Sequence, residues 1–241
     1  MIIVVLSEKG GVGKTMVAIQ VAVELARRKL SVLVLDTDRG LTLSDWYEKS
    51  DDQRPAGLKV LKMGGTGLRY RLENFIKRYD VIIIDTPNHV GPLQQQAMAI
   101  ADLAIVPCSP SGSDVDRLKR TLPLLEKGQR MNPRLKIGIL VNLKKDRRFS
   151  GQNARRVLTD SGFFVFETEL SDLAEYDYSY NTGKGVTTYA SWSNAALEIR
   201  TLVTEIDNFL KETSSARSSL DETRPIARRL AKEKTAQASA R

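Results

Sequence analysis

Short runs of aliphatic and β-branched residues recur along this chain almost without polar interruption: Ile2–Leu6, Val32–Leu35, Val81–Ile84 and Leu103–Val106. A strand with one face in water alternates apolar and polar side chains, whereas an unbroken apolar strand is covered on both faces. Strands of that kind belong to parallel sheets, whose neighbours need a long crossover, usually a helix. The intervals supply one each time. Helical patterns over Thr15–Arg28, Leu41–Lys49, Gly67–Arg78, Pro92–Ala101, Asp114–Lys127, Gly151–Ser161 and Ser191–Lys211 punctuate the predicted strands. Those strands are Ile2–Ser7, Val32–Asp36, Leu58–Met63, Val81–Asp85, Leu103–Cys108, Lys136–Asn142 and Phe163–Glu167. The expected fold class is α/β: a doubly wound, mostly parallel β-sheet with helices on both faces.

This pattern occupies residues 1–213, the expected domain. From Ser214 the composition turns to Ser, Arg, Lys, Ala and Thr, and 214–241 reads as a basic, flexible tail. One cysteine, Cys108, leaves no intrachain disulfide, CxxC pair or zinc cluster. A reducing cytoplasm is the expected setting. The apolar runs are far too short to span a bilayer, and Ile2–Leu6 lacks the length and positive flank of a signal peptide. The formal net charge of +8 fits either a polyanionic partner or a solvated basic face.

Gly10-Gly11-Val12-Gly13-Lys14-Thr15 follows a predicted strand and opens a predicted helix, the context of a phosphate-binding loop. Glycines let backbone N–H groups close on phosphate oxygens, and the helix adds its positive N-terminal end. Lys14 is expected to reach the β- and γ-phosphates of ATP, and the Thr15 hydroxyl to ligate Mg²⁺. A bare glycine turn capping a helix explains neither the Lys-Thr pair nor its placement. The standard loop has a further glycine where this chain has Glu8, so the loop is a variant. Asp36, Asp38 and Asp85 fall at or just past strand ends, where doubly wound sheets bind ligands. Asp38 also has the chemistry of a helix N-cap, while a carboxylate ending an apolar strand, as Asp85 does, needs a partner.

Lys9-Gly10-Gly11-Val12-Gly13-Lys14-Thr15 resembles the deviant Walker A box of the ParA/MinD ATPase family, a branch of the P-loop NTPase fold. Leu33-Val34-Leu35-Asp36-Thr37-Asp38 resembles its second acidic motif, and Val81-Ile82-Ile83-Ile84-Asp85-Thr86-Pro87 its Walker B strand. The resemblance spans roughly residues 1–210. It implies an ATP-dependent homodimer in which Lys9 reaches across to the partner's nucleotide. Lys9, Lys14 and Asp38 are then the catalytic residues, with Asp38 positioning the attacking water. The nucleotide is bound by Lys9, Gly10, Gly11, Val12, Gly13, Lys14, Thr15, Met16 and Asn142. The metal shell falls to Thr15, Asp36 and Asp85. Asn142 is a candidate for reading adenine, and equally a strand-end turn residue. The family commonly has Pro-Gln after the second acidic motif, a second proline after Asp85-Thr86-Pro87, and an arginine near residue 173. This chain has Arg39-Gly40, Asn88-His89 and Leu173 instead.

Because the first strand begins at residue 2, the chain looks like the small type of ParA, without an N-terminal helix-turn-helix. A membrane helix of the MinD kind needs large apolar side chains on one face, and the tail offers only Ile226 and Leu230. No membrane is therefore expected. From Asp114 to Arg156 there are 13 Lys or Arg against 4 Asp or Glu, an excess of nine that is as large as the whole net charge of +8 and one more. Arg117, Lys119, Arg120, Lys144, Lys145, Arg147, Arg148, Arg155 and Arg156 are the candidate contacts to DNA phosphates, which carry little sequence information. The expected function is ATP-dependent DNA partition by a cytoplasmic, nucleoid-associated dimer. Non-specific DNA and a ParB-like centromere-binding adaptor are the expected partners. The alternatives are a related ATPase that positions a protein cargo, such as a microcompartment or chemoreceptor cluster, and a metabolic ATP-dependent ligase on the same fold.

Overall fold

The structure is a computed structural model that describes residues 1–38, 40, 42–49, 54–64, 67–88, 91–145 and 150–211; at 112–117, 119 and 150–154 it describes the backbone only. Arg39, His89 and the tail at 214–241 lie outside the described residues. The chain divides into two compact units, Met1–Val203 and Thr204–Arg241. Of the second unit, residues 204–211 are described, and they are helical.

Among the described residues the first unit is built on seven strands: β1 (Ile2–Val5), β2 (Val32–Asp36), β3 (Leu58–Lys62), β4 (Val81–Asp85), β5 (Leu103–Cys108), β6 (Lys136–Val141) and β7 (Phe164–Val165). They pair in the order β3-β2-β4-β1-β5-β6-β7, and every pairing is parallel. Each of β1, β2, β4 and β5 is buried along its whole length, as the unbroken apolar runs require. The fold class is the one expected. In register, Asp36 on β2 stands beside Asp85 on β4, so two carboxylates end adjacent strands.

Helices fill the crossovers: α1 (Lys14–Arg27), α2 (Thr42–Glu48), α3 (Leu68–Ile76), α4 (Pro92–Ile100), α5 (Gly112–Met131) and α6 (Ser150–Thr159). None of the helices among the described residues is long and apolar enough to cross a membrane. Most differences from the sequence reading are shifts of helix and strand ends, where fraying makes boundaries soft. At the edge, the expected strand Phe163–Glu167 shrinks to the two residues of β7. Phe166 turns inward there, and its ring lies where a Cβ on residue 138 would be, 2.4 Å away, so Gly138 makes the room.

Two helices had no signal in the sequence: α7 (Ala174–Asn181) and α8 (Val186–Tyr189). Tertiary bonds hold them in place. Tyr176 donates its hydroxyl to Glu198 at 3.0 Å, and buried Gln20 of α1 bonds both Ser179 Oγ at 3.0 Å and Val186 N–H at 2.7 Å. A last helical stretch of this unit runs over 194–203, shorter at its start than the expected Ser191 onset.

Candidate active site

β1 delivers the chain into a tight glycine loop. Gly11 and Gly13 have φ of 75° and 83°, the left-handed region that side chains disfavour. Gly13 has a second constraint, since a Cβ there would stand 2.3 Å from the Asn142 amide. Gly13 is also the N-cap of α1 and offers no side-chain cap, while the first turn of α1 holds no acidic residue. The first N–H groups of α1 and the positive end of its dipole are thus left for an anion. Asn142 is fully buried at the end of β6, and its Nδ2 donates to the Val12 carbonyl at 2.7 Å. It braces the loop from beneath. Met16 flanks Gly13 at the start of α1.

Lys14 is only 5% exposed. Its ammonium donates to the Lys9 carbonyl at 3.3 Å and to Asn88 Oδ1. Burial pulls its pKa below the ordinary lysine value, while the Asp85 and Asp38 carboxylates pull it back up. Lys9 itself is half-buried, and its N–H is bonded to Ser7 Oγ at 3.2 Å.

Across the loop, Thr15 Oγ1 donates to Asp85 Oδ2 at 2.7 Å. The other oxygen, Asp85 Oδ1, is buried and accepts no hydrogen bond. Burial pushes the Asp85 carboxyl up to about 7, against the Thr15 bond and the Lys14 charge, with Asp36 and Asp38 adding to the rise. An orphaned carboxylate oxygen beside a hydroxyl, next to an anion-binding helix end, suits a hard cation that brings its own waters and a phosphate ligand. Mg²⁺ fits this donor set. No cluster of three or more His, Cys, Asp or Glu is present among the described residues, and a cation shared with phosphates does not need one.

Asp36 stands differently. Its Oδ2 accepts from Ser44 N–H at 2.9 Å and Ser44 Oγ at 2.6 Å, and its Oδ1 from Asp38 N–H at 3.3 Å. Both oxygens are engaged, and Asp36 fastens the start of α2 to the sheet. Asp38 is half-buried and closes a local turn by accepting from Gly40 N–H at 3.3 Å. Nothing in the sequence signals Ser44 as a partner of Asp36 or the hydrogen bond that Lys14 donates to Asn88. In the sequence Asn88 stands out only as a departure from proline.

The expected DNA contacts separate into groups. Lys144 is paired with Glu169; Arg155 bonds Glu167 at 2.7 Å, lies 3.7 Å from Glu169 and donates to the Phe166 carbonyl. These two carry partners inside the chain. Arg120 and Arg156 are exposed, and Lys145 is exposed with Asp172 at 3.6 Å. The side chains of Arg117 and Lys119, and all of Arg147 and Arg148, lie outside the described residues.

Residues 3–186 match the profile of the CobQ/CobB/MinD/ParA nucleotide binding domain. The maintenance of carboxysome distribution protein A of Halothiobacillus neapolitanus is 25% identical over 82% of this chain and 92% of its own length. The chromosome-partitioning ATPase Soj of Thermus thermophilus is 28% identical over 83% of this chain and 92% of its own. Among solved structures, apo McdA of Cyanothece superposes with a TM-score of 0.74 at 16% identity, covering 85% of this chain and 98% of that one.

Proposed function

We propose, on the premise that this chain belongs to the CobQ/CobB/MinD/ParA nucleotide-binding family of P-loop ATPases, that it is a Mg²⁺-dependent ATPase of the DNA-partition kind. One observation carries the proposal: the uncapped start of α1, the buried Lys14 and the Thr15–Asp85 pair with its orphaned oxygen converge on one spot. The loop amides and Lys14 bind the phosphates of ATP. Thr15 and Asp85 hold Mg²⁺, which when bound neutralises charge on the phosphate oxygens. Asp36 keeps α2 and the Asp38 turn at the site, and Asp38 orients the attacking water. Little covalent chemistry is asked of the protein, because phosphoryl transfer to water needs position and charge neutralisation above all.

In this reading Lys9 is lent across a nucleotide-dependent homodimer, and the dimer binds DNA non-specifically in the cytoplasm, on the nucleoid. The exposed Arg120, Lys145 and Arg156 supply phosphate contacts. A centromere-binding adaptor of the ParB kind stimulates hydrolysis, and the cargo is DNA. Asn142 contributes by bracing the loop, and residues 1–213 form the working domain with 214–241 as its tail. A second reading, a protein cargo, is favoured by the similarity to the carboxysome distribution protein.

The deciding experiment combines ATPase rate and particle size for the wild type and Asp38→Ala. With ATP the wild type should dimerise and hydrolyse. Asp38→Ala should still dimerise with ATP and retain DNA, but hydrolyse on the order of 100-fold more slowly. Normal turnover by Asp38→Ala removes its assigned role, and a wild type that stays monomeric with a non-hydrolysable triphosphate and Mg²⁺ removes the dimer.

A further inference from the structure

We propose that Asn88 is a positioning residue that competes with nucleotide phosphate for the Lys14 ammonium, and so sets how tightly this chain holds a nucleotide. The inference rests on the nucleotide-binding reading above. The loop that carries Asn88 leaves β4 on a fixed stem. Thr86 donates to the Val5 carbonyl through both its N–H, at 3.3 Å, and its Oγ1, at 2.9 Å. Gln94 Nε2 of α4 donates to the Pro87 carbonyl at 2.9 Å. One residue further, the carboxamide of Asn88 lies over the glycine loop. Its Oδ1 takes the Lys14 ammonium, and its Nδ2 would sit 3.3 Å from a Cβ at position 10, so the absence of a side chain at Gly10 lets it approach.

The chemistry makes this contact an exchangeable one. Lys14 is buried, so its ammonium needs acceptors wherever it points. The acceptors it has here, the Asn88 carboxamide and the Lys9 carbonyl, are neutral. A phosphate oxygen is charged, and a charge-assisted bond is roughly twice as strong as a neutral one. Phosphate therefore wins the lysine, but its apparent affinity is lowered by the fraction of protein in which Asn88 holds it. Asn88 is exposed, so its released carboxamide turns into solvent without strain on the core. Proline, the residue that the family resemblance led one to expect here, has no side-chain acceptor and could not play this part.

The test is equilibrium binding of N-methylanthraniloyl-ADP to the full chain, as wild type, Asn88→Ala and Asn88→Asp. Removing the acceptor should tighten binding by about 3- to 10-fold. Replacing it with a carboxylate, which holds the lysine with a charge-assisted bond, should weaken binding by about 10-fold or more. A purely structural contact moves both variants towards weaker binding. The proposal is overturned if Asn88→Ala weakens binding, or if neither variant moves it more than about twofold. A wild type that does not bind the probe overturns the nucleotide-binding reading itself; a wild type that binds, with no opposite shifts in the variants, overturns only the role of Asn88.

Discussion

Two groups of charged side chains lie past the carboxyl ends of the strands, one above β1, β2 and β4 and one beyond β6 and β7. Beyond β6 and β7, Lys144, Arg155, Glu169 and Glu198, all among the described residues, each meet an opposite charge or a hydrogen-bond donor. Glu169 takes Lys144 and Arg155, Arg155 also takes Glu167, and Glu198 accepts from Ser171 N–H, Ser171 Oγ and Tyr176 Oη. Above β1, β2 and β4 the matching is incomplete: Asp85 keeps a bare oxygen, and Lys14 rests on neutral acceptors. Similar residue types thus serve opposite ends. Saturated charges fasten an edge strand and its loops, whereas under-satisfied ones store affinity for a ligand.

That contrast can be broken by substitution. Lys14→Ala should have the largest effect, lowering ATP affinity by on the order of 100-fold or more while leaving the fold intact, because it removes a buried charge with no carboxylate partner bonded to it. Isothermal titration with ATP checks it. Asp85 comes next, through pH. With its carboxyl held up at about 7 in the folded chain, against an ordinary value near ~4, the protonated form favours the fold. That contribution is full below the ordinary carboxylate range and is lost as pH rises through about 7. The metal-free protein should therefore melt higher at pH ~5.5 than at pH ~8, and Asp85→Asn should flatten the difference. Mg²⁺ should show the opposite trend, its affinity for the ATP-bound protein falling about 10-fold per pH unit below neutrality as the proton competes.

On the saturated side, Glu169→Gln should cost about 1–2 kcal/mol of stability by leaving Lys144 without its acid and Arg155 with Glu167 alone, with nucleotide affinity unchanged. Chemical denaturation measures the first and titration the second. If nucleotide affinity falls as well, the two groups are coupled and the contrast fails. The smallest effect belongs to charges outside both groups: Arg156→Ala should lower the slope of DNA affinity against salt by about one and weaken binding a few-fold.

Much of this was legible along the chain. The glycine loop announced itself because strand, glycines, Lys14-Thr15 and helix are contiguous, and the phosphate cradle is made by that local backbone. Asp85 was legible because a carboxylate at the end of an apolar strand has no structural excuse. Asp36 was legible as an acid at the end of its strand, but not as the anchor of α2, since Ser44 reaches it from eight residues further along the chain. Lys144 and Arg155 looked like their exposed basic neighbours until β7 set Glu167 and Glu169 beside them. The tyrosine-rich stretch of α7 carries no helical periodicity, and its shape comes from Gln20 and Glu198, both far away in sequence.

By itself, then, the order of residues determined the strands, the crossovers and the phosphate loop, because those follow from hydrophobic runs and from glycine's freedom over a few adjacent positions. Tertiary structure alone decided which charges stay hungry. Whether Asp85 keeps a bare oxygen, whether Asn88 reaches Lys14 and whether Lys144 finds an acid all depend on strands and loops brought together from distant parts of the chain, and hydrogen-bond satisfaction is a property of that meeting.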